Sequence, residues 1–169
     1  MNSLHGLATK LDGFVDFVGR AVAWTCLVLV AVMATNVLLR YFLRTGSVWS
    51  QELEWHLMSP LVLFGMSYCL LRDGHLRVDV LFIKFSHRTQ LAVDFVAAIL
   101  GAAFSIIVVH LSWKYVLQSW SIGEGSPDPG GFPYRYALKA FIPAGFALLF
   151  VQSVAAAIKS ALLLVSVRE

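Results

Sequence analysis

The stretch AVAWTCLVLVAVMATNVLL, residues Ala21–Leu39, carries no formal charge over 19 residues and is bracketed by Arg20 and Arg40. An α-helix rises about 1.5 Å per residue, so about 20 apolar residues cross a hydrocarbon core of roughly 30 Å. The stretch therefore predicts one membrane crossing. Three more charge-free runs follow: Trp55–Leu71 with 17 residues, Phe95–Trp113 with 19 and Ala140–Ile158 with 19. They are long because charges are few and clustered. Of 169 residues, 14% are charged and 59% hydrophobic, where a soluble domain carries about a quarter charged. As core helices of a soluble protein these runs would lack the polar surface to solvate them. Transmembrane β-strands need alternating segments of about ten residues, which the runs are not. Val32 and Ala34 resemble a signal-peptidase site. Yet the apolar stretch continues to Leu39, beyond the roughly 7–15 residues of a signal core, and no soluble domain follows. A retained helix is expected.

The sequence thus predicts an all-α membrane protein, a single domain over 1–169 with transmembrane helices at about 18–40, 50–72, 90–118 and 137–164. Before the first crossing, Leu4, Leu7, Ala8, Leu11, Phe14, Val15 and Val18 recur at helical spacing, with Lys10, Asp12 and Asp16 between them. This pattern predicts an N-terminal amphipathic interfacial helix. With the N-terminus inside, the inner segments hold eight Lys/Arg residues and the outer ones five. The positive-inside rule then places both termini in the cytoplasm. Tyr41, Trp49, Trp55, Trp113, Tyr115, Trp120, Tyr134 and Tyr136 mark the outer boundary as an aromatic belt. The Gly/Pro-rich loop at 123–135 predicts successive turns. Pro60 and Pro143 fall inside helices, where local kinks are expected. Cys26 and Cys69 lie within helices as packing residues and form no disulfide framework.

The chemistry is sparse. Ion-coupled carriers place ionisable groups or broken helices near the membrane centre. Here Asp, Glu, Lys and Arg are expected at or beyond the helix ends, leaving Thr25, Ser105 and Gln152 as mid-membrane polar groups. A lone buried Gln more often bonds a neighbouring helix than a substrate. No metal motif, phosphate loop, nucleophile–base pair or basic patch for nucleic acid is present. Ala97, Gly101 and Ser105, four residues apart, suit close helix packing within the chain or against a partner. His56 and His110 are expected at similar depth, and two such histidines suit a haem b, so a haem-bearing membrane anchor subunit of a respiratory enzyme is the alternative. The densest polar clusters stand at the edges. Outside are Arg40, Arg44, Glu52 and Glu54, with the glutamates in the opening turns of the second helix and placed to pair with Arg40 or Arg44. Inside are Arg72-Asp73-Gly74-His75-Leu76-Arg77-Val78-Asp79, where Gly74 is a natural helix terminator and 80–85 is expected to run along the surface.

At these clusters the sequence resembles the small membrane subunit of tripartite ATP-independent periplasmic (TRAP) transporters. The matching features are Arg40-Tyr41-Phe42 ending the first helix and Trp49-Ser50 with Glu52 opening the second. Gly65, the Gly74–Asp79 segment, and Ile142-Pro143 with Gly145 and Phe146 complete the match, which spans about 15–160. The loop Pro127–Arg135 is longer than usual for that family. The resemblance implies an inner-membrane scaffold without cofactor, catalytic, substrate or metal site. Its partners would be a large membrane subunit that carries sodium and a small organic acid, a periplasmic substrate-binding protein, and membrane lipid. Arg40, Arg44, Glu52, His75, Arg77 and Asp79 are the residues expected to face partner or lipid.

Overall fold

A computed structural model describes residues 2–74, 82 and 85–166. Four long helices account for nearly all of them: α1 (Asn2–Leu38), α2 (Val48–Leu71), α3 (His87–Ser121) and α4 (Arg135–Ser166). No strand occurs among the described residues. Helices α1, α3 and α4 are each long and apolar enough to cross a membrane. With 37, 35 and 32 residues they would measure about 56, 52 and 48 Å, well beyond the roughly 30 Å of a hydrocarbon core. This excess length corrects one expectation. Asp12, Asp16 and Arg20 lie within α1, Asp94 within α3 and Lys159 within α4, instead of at helix ends.

The amphipathic segment and the first crossing are not two elements. Helix α1 runs unbroken from Asn2, and no glycine cap or proline divides it. Its N-terminal part docks on the bundle through Ala8 and Val15, both 0% exposed. At its outer end α1 widens into a π turn, Leu39–Leu43, closed by Arg44 in the left-handed region (φ 51°) with its N–H on the Leu39 carbonyl. At the inner end of α2 the left-handed residue is Asp73 (φ 53°), not Gly74. Asp is among the few residue types that tolerate this region, and Gly74 contributes an N–H bond to the Cys69 carbonyl at 3.0 Å. The sequence 75–81 and residues 83–84, with the expected surface segment, lie outside the described residues.

Helix α4 touches each of the others, and α3 rests mainly on α4. The reason is written in α3: its buried residues are Leu91, Ala98, Ser105, Ser112 and Ser119, each seven apart. A seven-residue repeat keeps one seam facing a neighbouring helix, and four of the five side chains are small, so the axes approach closely. The serine hydroxyls are satisfied locally, Ser105 donating to the Gly101 carbonyl at 2.7 Å and Ser112 to that of Val108 at 2.6 Å. Of the small-residue stripe, Ser105 is in the seam, Gly101 faces Ser153, and Ala97 is exposed. Packing within the chain therefore absorbs most of it. Glycines play the same part elsewhere. A Cβ on Gly145 of α4 would sit 2.7 Å from the Leu63 Cβ and 3.0 Å from its backbone on α2, and one on Gly19 of α1 would sit 2.8 Å from the Tyr68 Cβ. Both helices with an internal proline continue through it. Cys26 and Cys69 are free thiols.

Candidate functional site

Polar contacts between elements gather at the two ends of the bundle. At the outer end, Glu52 in the first turns of α2 is 2% exposed. Its carboxylate accepts the Ser126 hydroxyl and the Phe132 N–H, the latter at 2.5 Å. A buried carboxylate must be compensated in this way, because desolvation without partners is costly. The donors come from the Gly/Pro loop between α3 and α4, which folds back over α2. Phe132 inserts between Trp49 and His56, with ring centroids 5.1 and 4.5 Å away. The fold-back works because Gly130 takes a positive φ of 83° and because Gly131 has no side chain. A Cβ there would lie 2.7 Å from the Glu52 carboxylate and 2.5 Å from the Ser126 Cβ.

The same loop is tied to α4. Glu124 forms an ion pair with Lys139, and its carbonyl accepts the Arg135 N–H at 3.0 Å. The Lys139 ammonium also lies 4.0 Å from the Tyr115 ring centroid on α3. It holds the Glu124 carboxyl below the usual carboxylate range. Between α1 and α2, Asn36 donates to the Ser50 carbonyl at 3.1 Å and to Glu54 at 2.7 Å. Glu52 and Glu54 are thus occupied by Ser126, Phe132 and Asn36, and the expected pairing with Arg40 or Arg44 is not formed. The two arginines stand exposed around Tyr41 and Phe42, which are 82% and 81% exposed. The belt aromatics Trp113, Trp120 and Tyr134 are also exposed.

At the inner end, α1 is the hub. Asp12 pairs with Lys159 and accepts the Gln152 amide at 3.2 Å, both on α4. Asp16 binds Arg20 at 2.8 Å and Arg72, beyond α2, at 2.6 Å. The Arg72 guanidinium covers the Tyr68 ring at 5.2 Å. Gln152 therefore belongs to this ionic level, bonded to another helix as a packing residue. The sequence reading missed Asp12, Asp16 and Lys159 as contacts. The available signal was the i, i+4 pair of acids on an otherwise apolar helix, set against basic residues near the inner ends of the others.

Of the six residues expected at an interface, the structure exposes Arg40 and Arg44 and buries Glu52. His75, Arg77 and Asp79 lie outside the described residues. The two histidines considered for haem have different surroundings. The Nδ1–H of His56 donates to the Glu52 carbonyl at 2.7 Å beneath Phe132, whereas His110 is exposed on α3. Among the described residues no group of three or more His, Cys, Asp or Glu is placed to hold a metal ion.

Long apolar helices with polar contacts held at their two ends define a multi-pass helical membrane protein. The model of the family "Tripartite ATP-independent periplasmic transporters, DctQ component" matches residues 29–163, and the chain belongs to that family. It is similar to the C4-dicarboxylate TRAP transporter small permease protein DctQ of Pseudomonas aeruginosa, 29% identical over 105 residues, 62% of this chain and 50% of that protein. The protein of the same description from Vibrio cholerae is 32% identical over 134 residues, 68% of this chain and 58% of that protein. The chain spans little more than half the length of these curated relatives. No solved structure matches. Family and helices together place the chain in the bacterial inner membrane as a TRAP transporter small membrane subunit.

Proposed function

We propose that this chain is the non-catalytic scaffold of a sodium-driven TRAP transporter that imports small organic acids, C4-dicarboxylates being the class named for its relatives. It forms one four-helix transmembrane domain, with α2 as the fourth crossing and both termini in the cytoplasm. A large membrane subunit carries sodium and solute, and a periplasmic binding protein delivers the solute. The observation that carries this reading is where the ionised groups are spent. Glu52, Glu54 and Glu124 hold the outer end together, and Asp12 and Asp16 the inner end. A carrier keeps such groups for its cargo near the midplane; this chain uses them to brace itself.

Arg40 and Arg44, exposed on the π turn and without an ion-pair partner among the described residues, are the outward contacts to the large subunit or to lipid. Glu52 serves the same edge indirectly, by fixing the loop above α2. His75, Arg77 and Asp79 are proposed contacts on the inner side. Charge reversal at Arg40 and Arg44 lowers recovery of the large subunit when this chain is purified from co-expressing cells. Undiminished recovery removes both residues from the interface.

A further inference from the structure

Helices α2 and α3 diverge at the inner half of the bundle, and a cavity of 790 Å³ opens between them, floored by α4. Its volume falls in the range of about 300–1,000 Å³ typical of ligand sites. Its lining is zoned. Leu91, Ala98, Phe104 and Leu149 make an apolar end toward the outer side. Asp73, Asp94 and Lys159 bring both signs of charge to the other end. That second end lies at the ionic level of the bundle, since Lys159 pairs there with Asp12. Lys159 remains 38% exposed after that pairing, and an ammonium has three donors.

We infer that this groove between α2 and α3 binds a membrane phospholipid, one acyl chain against the apolar wall and a zwitterionic head beside Lys159. The chemistry of the lining selects that occupant. A hydrocarbon chain restores the dispersion contacts that an empty apolar groove forfeits. A head bearing phosphate and amine complements a rim with both signs, Lys159 matching the phosphate as a charge-assisted donor. The source is at hand, because lipid is the solvent at this depth. The inference depends on the membrane setting and not on the proposed transport complex.

The test is made on the full chain purified from bacterial membranes, with co-purified lipid quantified by mass spectrometry after extended detergent washing. Wild type is expected to keep a phospholipid in stoichiometric amount. Ala97→Trp and Ala156→Trp, which project into the groove from α3 and α4, are expected to lose most of it while keeping the helical circular-dichroism spectrum. Ala34→Trp, on the exposed face of α1, is the control and keeps the lipid. Equal retention by all four proteins, or no retention by wild type, overturns the inference. So does a cysteine at Ala97 that cross-links to the large subunit in the co-purified complex, since a protein helix would then occupy the groove.

Discussion

Glu52 shows what a charged residue costs and what it returns in this chain. Its carboxylate is shut away from water and solvated instead by the Ser126 hydroxyl and the Phe132 N–H. Glu52→Ala leaves both donors without an acceptor, and unsatisfied buried groups are costlier than absent ones. Hydrogen exchange at the Phe132 amide is then expected to accelerate by at least roughly tenfold, the loss of about one hydrogen bond, while exchange in the α3–α4 seam stays unchanged. Glu124 makes a pH-dependent contribution. Its folded value is lowered from the ordinary 4.5 by Lys139, so folded chain binds its proton less readily than unfolded chain. The pair therefore stabilises fully above pH 4.5 and is lost as pH falls through the lowered value. The thermal midpoint in detergent should drop over that acid window, and drop less in Lys139→Gln. An equal drop in the two proteins would remove the pair from the account. Neither residue announces this role in the sequence. Glu52 reads as a helix N-terminal charge, and its true partners are 74 and 80 positions away.

At the scale of elements, helices were legible and their contacts were not. Charge-free runs report apolar length, because the bilayer penalises charge directly. They do not report where a helix stops, because a helix continues past the membrane while no cap or proline ends it. That is why α1 begins at Asn2 and contains Asp12, Asp16 and Arg20. The α3 seam was partly visible in Ala97, Gly101 and Ser105. The seven-residue repeat from Leu91 to Ser119 is the pattern the structure uses. The α2–α4 contact depends on a single hydrogen atom at Gly145, where a Cβ would meet Leu63 backbone that cannot move aside. Gly145→Ala is expected to destabilise the chain by about 1–3 kcal/mol, the usual cost of overpacking, measured by reversible unfolding in mixed micelles. Helix α2 carries Gln51, Glu52, Glu54 and His56 in its outer third, so it is the least apolar of the four and its crossing needs a direct test. In a chain lacking Cys26 and Cys69, single cysteines replacing Thr45 and Asp128 should both react with an impermeant thiol reagent added outside spheroplasts, and one replacing Lys10 should not. Protection of Thr45→Cys alone would mean that α2 does not cross.

The whole molecule is a set of long helices braced at both ends by its own charges, with lipid-ready surfaces between. Trp24, Leu27, Leu100 and Phe104 are more than half exposed, which in water would be a liability and in hydrocarbon is solvation. The family was legible from short motifs at the helix ends, since those positions combine chain reversal with membrane-edge chemistry. The fold-back of the Gly/Pro loop onto Glu52 was hidden, because nothing local in the loop names the helix it returns to. A protein of this kind stabilises a neighbour and moves no solute by itself. Vesicles offer the most direct measurement: this chain alone, and this chain with its large subunit, are reconstituted with an inward sodium gradient, an external binding protein and a radiolabelled C4-dicarboxylate. The scaffold account predicts gradient-dependent accumulation only when the large subunit is present. Accumulation by vesicles holding this chain alone would contradict it.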